Sequence, residues 1–359
     1  MKIFRNVALI LLIILSIFII SIGVFFNINI SAMDKKDTTN VIVVIPSKTT
    51  TKEIGKILEK EGLIRNANFF YVYAKIYKIN DMKASTYELN KSMDLKEIVE
   101  TLQKGNSYNP NAINITFQEG INMRKVASII ANKTNNTEDD IYNKLKDQDY
   151  LDKIINKYWF LTDSIKNKNL YYSLEGYLYP NTYTLESKNV SVEDIFKVML
   201  DETDKKLTPL KGEIEKSNKS VHEILTLASI VELEGVTDED RKGIASVFYN
   251  RLNKKMSLGS DITTYYALKV ELNERGLTDK EFNTANPYNT RGPQMEGKIP
   301  VGPVSNPSIS SINAVVYPAD TENYYFVADK NRKVYFTKTY KEHLAKIKEL
   351  KAKGVWLEW

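Results

Sequence analysis

The chain opens on an unbroken apolar block, VALILLIILSIFIISIGVFF at residues 7–26, and beyond it short apolar runs alternate with polar breaks. Twenty such residues span roughly 30 Å as a helix, the depth of a bilayer core. Lys2 and Arg5 precede the block, the uncharged run extends from Asn6 to Met33, and Asp34 follows. The run is longer than the apolar region of a cleaved leader, and NINISAM makes a poor cleavage site, so residues 1–33 read as an uncleaved single-pass anchor. Basic residues ahead of the span put the N-terminus in the cytoplasm and everything after about residue 34 outside, although Lys35 and Lys36 dilute that asymmetry.

After a polar linker, DKKDTTN at 34–40, the pattern from Val41 to about Asn109 reads strand, helix, helix, strand, helix. VIVVIP gives the first strand and ASTYELN the second; TTKEIGKILEKEGLI, NANFFYVYAKIYK and DLKEIVETLQKG give the helices, the last stopped by Gly105. A second polar joint, NSYNPNA, leads to INITFQEG and a helix-rich stretch at about 110–170. The remainder, to residue 359, is mixed, and it closes on a basic amphipathic helix at about 338–353 that reads as a solvated face packed on the domain. The fold class predicted is α+β: an anchor helix, a small α/β module at 41–109, and a helix-rich larger domain with a small sheet at 110–359.

The segment LASIVELEGVTDEDRKGIASVFYNRL, residues 227–252, points to chemistry. Leu227, Ala228, Ile230, Val231 and Leu233 are apolar almost all round, so the segment is a buried helix. Glu232 and Glu234 sit where a carboxylate is costly unless it has a partner or a task. Gly235 stops the helix, and Thr237 with Asp240 forms a capping box that opens the next one. Partial burial and the negative helix end favour a protonated acid, the state needed for general-acid catalysis. Periodicity alone does not choose between the two glutamates, which point roughly 200° apart on a helix. Glu234 lies nearer the helix end and the glycine break, where a substrate can reach it.

Composition narrows the classes. Hydrophobic residues make up 43% and charged residues 26%, ordinary for a globular protein. A net charge of +5 with dispersed lysines leaves no nucleic-acid footprint. There is no cysteine, which removes disulfides, thiol nucleophiles and thiolate metal sites, and two histidines make a histidine-rich metal site implausible. HEILT at His222 misses the zinc-protease pattern because Thr226 stands at the second histidine position. Neither a metal nor a cofactor is expected.

Taken in order, ASTYEL, EGINMRKVASIIA, EGYLYPNTY, LASIVELEG, IASVFYNRL, LGSDITTYYAL, NPYNT, GPVSNPSISSINAV and YYFVAD resemble the YceG-like family of endolytic murein transglycosylases. The resemblance implies a LysM-like N-terminal module and a catalytic domain outside the membrane, acting on nascent peptidoglycan glycan strands. It also implies cleavage of the MurNAc–GlcNAc bond to 1,6-anhydro-MurNAc ends, a contribution to wall assembly, and peptidoglycan synthases as partners. The family's essential acid falls on Glu234, leaving Glu232 as a secondary acid candidate or a structural carboxylate. Three positions depart from the family pattern: Gly235 replaces a small hydroxyl residue or alanine, Ile262 stands where a proline is usual, and NTRGPQMEGKIPVGP is an altered loop. The rival readings are a hydrolytic muramidase and a non-catalytic wall-binding or division-scaffold protein.

The remaining candidates are substrate-binding groups, each with a structural alternative. Glu175, Tyr177 and Tyr179 in EGYLYP share one face if the segment is a strand, and either line the saccharide cleft or fill an aromatic core beside Pro180. Asn250 and Arg251 follow the apolar positions of their helix, and Arg251 either binds a peptide-stem carboxylate or anchors one such as Glu232. Ser260 and Asp261 either contact sugar or cap the helix that follows. Tyr265, four residues beyond Asp261, faces the same side. Asn289 and Thr290 in NPYNT either reach glycan hydroxyls or shape a turn.

Overall fold

The computed structural model describes residues 2–105 and 108–356. Asn106 and Ser107 of the second polar joint, and the last three residues of the larger domain, lie outside the described residues, as do the side chains of Lys2 and Arg5 on which the orientation reading rests. The chain divides into two compact units, Met1–Pro110 and Asn111–Trp359.

In the first unit, α1 (Lys2–Ile30) contains one apolar span, Leu9–Ile30, long enough to cross a membrane. Then come β1 (Asn40–Ile45), α2 (Thr51–Lys60), α3 (Ala67–Ile76), β2 (Ser85–Asn90) and α4 (Leu95–Lys104). The two strands pair antiparallel, with Val43 opposite Tyr87. Alternation puts Val43, Ile45, Tyr87 and Leu89 on the inner face, where they meet Leu58, Phe70 and Ile98 from the helices. Capping boxes at Thr50/Glu53 and Asp94/Glu97 start α2 and α4. Gly105, in the left-handed region at φ 73°, ends α4.

The second unit begins with β3 (Ile113–Thr116), followed by α5 (Met123–Lys133), α6 (Glu138–Lys144) and α7 (Gln148–Lys157). β4 (Thr182–Leu185) pairs antiparallel with β3, Ile113 lying opposite Leu185. EGYLYP, residues 175–180, alternates like a strand, but its first three residues belong to a run of turns that begins at Ser173, and Leu178 is a bend. Gly176 is one reason: its φ is +82°, and a Cβ there would lie 2.3 Å from a Pro303 side-chain carbon. After α8 (Val192–Leu207) and α9 (Lys211–Lys216) come the two central helices, α10 (Val221–Glu234) and α11 (Asp238–Asn253). The unit ends with α12 (Asp261–Leu268), α13 (Asp279–Phe282), α14 (Ile309–Val316), the hairpin β5 (Tyr325–Ala328) and β6 (Val334–Thr337), and α15 (Tyr340–Ala352). Every residue of α10 from Ile224 to Val231 is buried, so this helix forms the axis of the core. α15 buries only Leu350, consistent with a mostly solvated face.

Candidate active site

α10 starts with a capping box between Ser220 and Glu223 and ends with Glu234 as its last residue. Gly235 stops it, but in an extended conformation (φ −103°, ψ 145°) rather than the left-handed one. Its small size serves close approach: a Cβ would lie 2.8 Å from the Arg241 side chain and 3.2 Å from that residue's backbone. The chain therefore turns tightly into α11, whose Thr237/Asp240 capping box forms as the sequence predicts.

Glu234 keeps some contact with solvent. Ser260 Oγ donates a 2.7 Å hydrogen bond to its Oε1. Loss of hydration around the carboxyl pushes its pKa up to about 7; the Ser260 hydrogen bond opposes this, the Asp261 charge adds to it, and Arg251 and Arg291 pull it down. Burial dominates, and the acid is poised between its two protonation states near neutrality.

Ser260 occupies the N-cap position of α12, yet its side chain makes no capping bond. The expected cap is absent because the hydroxyl is turned to Glu234 instead. Its backbone is fixed from the other side, where the Ser260 N–H donates to Thr290 Oγ1 at 3.0 Å. Gly259, at φ +61°, brings the chain to within 3.2 Å of Arg251 Nη1, measured from a Cβ built there. Arg251 Nη1 donates to Leu258 O and its Nε to Tyr324 O, each at 2.6 Å, while its guanidinium lies over the Tyr325 ring. Arg251 thus ties down the loop that carries Ser260 and brings a positive charge toward Glu234. Asp261 and Arg291 form a half-exposed ion pair beside the acid.

Glu232 faces another way. Its Oε2 accepts from the Ser308 N–H (2.8 Å) and hydroxyl, and Oε1 pairs with Arg241 Nη2 at 3.2 Å. Ser308 is the N-cap of α14, so this carboxylate fastens α10 to the start of α14 and to α11. Its hydrogen bonds and ion pair thus run to the Ser308 cap and the α11 guanidinium.

Glu175 is a second carboxyl pushed up to about 7, by burial above all; the Met123 N–H (2.9 Å) and the Tyr266 hydroxyl (2.8 Å) donate to its Oε2 and oppose the shift. It is 1% exposed and its Oε1 has no partner. The carboxyl therefore lies beneath the surface of the folded chain. Tyr177 is equally sealed: its hydroxyl meets His222 Nδ1 at 2.9 Å, while His222 Nε2 lies 2.8 Å from the Val301 carbonyl. A carbonyl only accepts, so the proton sits on Nε2 and the tyrosine donates to Nδ1. Burial lowers the His222 pKa and keeps the ring neutral.

The YceG-like family model matches residues 43–349. This chain belongs to the YceG-like family. It is 37% identical over 312 residues to the endolytic murein transglycosylase of Bacillus subtilis strain 168, covering 87% of this chain and 85% of the relative. It is 35% identical over 327 residues to the endolytic murein transglycosylase of Streptococcus pneumoniae D39, covering 87% of this chain but only 58% of that longer protein. The crystal structure of a yceG-like protein from Listeria monocytogenes superposes with a TM-score of 0.61 at 36% identity, over 86% of this chain and 99% of that one.

In this YceG-like protein the structure gathers Glu234, Arg251, Ser260 and Asp261, with Thr290 bonded to the Ser260 backbone behind them. Asn289 and Thr290 are fully buried. Asn289 accepts from Thr264 Oγ1 (2.6 Å) and donates to Phe282 O and Thr284 O; Thr290 pairs with Thr263 Oγ1 at 2.8 Å. Both brace the Ser260 loop from behind. Asn250 holds Thr321 O and Asn323 O. Tyr179 is 8% exposed, with Lys206 over its ring, and Tyr265 is 7% exposed. Sequence reasoning missed Arg291, Arg241, Ser308 and Asn306. Buried Asn306 accepts from Gly176 N and Leu178 N and donates to Ile121 O. A lone asparagine or serine in a loop carries no local signal for such a role; the partners of Asn306 lie more than 100 residues away in the chain and that of Ser308 lies 76 away. Cavities of about 430 and 490 Å3 open elsewhere on the unit, the smaller walled by Asp238, Lys242, Ser310, Asn313 and Tyr317, the larger including Tyr142, Tyr171 and Tyr172. Protonation chemistry, rather than cavity size, marks the site.

Proposed function

We propose that this protein is a membrane-anchored endolytic lytic transglycosylase acting on nascent peptidoglycan, with Glu234 as its single acid and base. The observation that carries the reading is a solvent-touching carboxyl at a helix end, pushed up to about 7 and oriented by one hydroxyl. Glu234 donates its proton to the oxygen linking C1 of MurNAc to GlcNAc, and the C1–O bond breaks as the GlcNAc hydroxyl leaves. The MurNAc C6 hydroxyl oxygen attacks C1, closing the 1,6-anhydro ring, and its proton returns to the Glu234 carboxylate. The acid is regenerated with no water consumed. A substrate hydroxyl serves as nucleophile, so the second carboxylate of ordinary glycosidases is not required.

The first unit acts in this reading as a LysM-like glycan-binding module, and α1 holds the enzyme in the membrane with its N-terminus in the cytoplasm, near the wall synthases. One observation favours a second reading, hydrolysis by a muramidase: Asp261 lies close enough for its charge to raise the Glu234 pKa, and a second carboxylate is what activation of water requires. Its pairing with Arg291 argues against a free base. Mass spectrometry of the ends released from purified glycan strands decides between them. Anhydro ends are one water lighter than reducing ends, and exclusively reducing ends would reject the transglycosylase reading.

A further inference from the structure

We infer that the first unit is rigidly mounted on α1 and rests against the bilayer, with the outer face of α3 in the lipid headgroup layer. This rests on the reading of α1 as a membrane span. The mount is built around Arg65. Its Nη1 donates to Ile28 O at 3.0 Å and Ser31 O at 2.5 Å, and its Nη2 to Ala32 O at 2.8 Å and Met33 O at 3.3 Å. These carbonyls belong to the end of α1 and the residues just past it, where no intrahelical donor remains and where the helix dipole favours a cation. Ile30 packs on the core of the unit, and Asn29 and Ala32 are buried against it. Asp34 N–H donates to Lys91 O at 3.0 Å, and Lys91 pairs with Asp37 at 3.3 Å. The polar linker is bonded to the unit from its first residue.

Aromatic contacts fix which element meets the membrane. Phe25 and Phe26, within the last turns of the apolar span, pack edge-on against Phe69 of α3 at 5.7 and 5.4 Å, and Phe26 lies 6.4 Å from Tyr73. Phe26 is four residues short of the end of the span, roughly 6 Å along the helix axis, which is the depth of the interfacial layer. The unburied side of α3 suits that layer. Val72, Ile76 and, just past the helix, Tyr77 are 51%, 62% and 56% exposed. Lys75 and Lys78 lie among them, and α3 contains no acidic residue. Apolar side chains outward at i and i+4, interleaved with tyrosines and lysines, match an anionic membrane surface rather than water. The other side of α3 is closed by α2, where Gly55 meets Ala67 and Phe70.

The absence of cysteine makes the test direct. Full-length Ile76→Cys and Glu59→Cys proteins, each with an environment-sensitive fluorophore on the new thiol, are reconstituted in phosphatidylglycerol/phosphatidylcholine vesicles containing a nitroxide-headgroup lipid. Glu59 lies on α2, behind α3, and is exposed. Quenching at position 76 severalfold stronger than at 59, with a blue-shifted emission, is the expected result. Adding Arg65→Ala should bring quenching at 76 down toward that at 59 while the protein still floats with the vesicles. Flotation with equally weak quenching at 76 and 59 overturns the mount and leaves the anchor standing. Failure to float overturns the anchor reading and this inference with it.

Discussion

Removing the Ser260 hydroxyl should shift the pH dependence of catalysis in a direction the structure fixes. Its 2.7 Å bond donates to Glu234, so it stabilises the carboxylate and holds the pKa below where burial alone would put it. Hydrogen bonds to charged groups contribute about 1.5–3 kcal/mol, or roughly one to two pKa units at 1.36 kcal/mol per unit. Glu234 retains solvent contact, so the lower end applies. In Ser260→Ala the acid should stay protonated to higher pH, and the basic limb of kcat/KM, near 7 in the unaltered enzyme, should move up by about one unit. The plateau should fall, because the carboxyl loses the group that orients it. The loop itself should persist, since Thr290 bonds the Ser260 backbone. Ser260→Thr keeps the donor and should keep the limb. The assay is release of soluble fragments from purified glycan strands across about pH 5 to 9. A limb that stays put in Ser260→Ala, or moves to lower pH, would refute the assigned coupling.

Three further outcomes follow from the buried contacts. Glu175 has a folded-state pKa of about 7 against an ordinary 4.5, so the stability it contributes is fully present below about 4.5 and lost as pH rises through 7, on the order of 3 kcal/mol. Glu175→Gln should therefore flatten the fall in melting temperature between about pH 4.5 and 7; an unchanged slope contradicts the assignment. Glu232→Ala leaves Arg241 Nη2 and the Ser308 N–H unanswered, although Arg241 Nη1 keeps Ser310 and Asp238, and should lower unfolding stability in urea by about 3 kcal/mol without moving the basic limb of the rate profile, a separation that Ser260→Ala does not show. Gly176→Ala must adopt φ +82° against Pro303 and should shift the urea midpoint by the equivalent of about 2–4 kcal/mol; a neutral effect would mean that the turn relaxes freely.

Local patterns carried much of this fold. The apolar span, the order of elements in the first unit, the buried helix ending in Glu234, and the Thr237/Asp240 box each depend on spacing within a few residues, and each appears where the pattern puts it. Long-range polar pairings were not legible. Glu232 differs from Glu234 in its surroundings because Ser308 and Arg241 reach it, and one of those partners is 76 residues away in sequence. EGYLYP alternates like a strand but turns, since Asn306 takes the Gly176 and Leu178 amides into a knot no strand could form. Ser260 reads as a cap because serine before a helix usually is one; tertiary contact with a carboxyl redirected it. Asn289 and Thr290 have the composition of a surface turn, yet they are buried, because Thr263, Thr264 and the Phe282, Thr284 and Ser260 carbonyls satisfy them from within.

The central claim is that one carboxyl does the chemistry, and Glu234→Gln tests it with the least disturbance. The amide keeps the size of the side chain and a carbonyl for the Ser260 hydroxyl, so the protein should melt no lower than the unaltered enzyme at pH 7. Incubated with purified sacculi, it should release no 1,6-anhydro-muropeptides while the unaltered protein does. Anhydro products released by a folded Glu234→Gln protein would contradict the account.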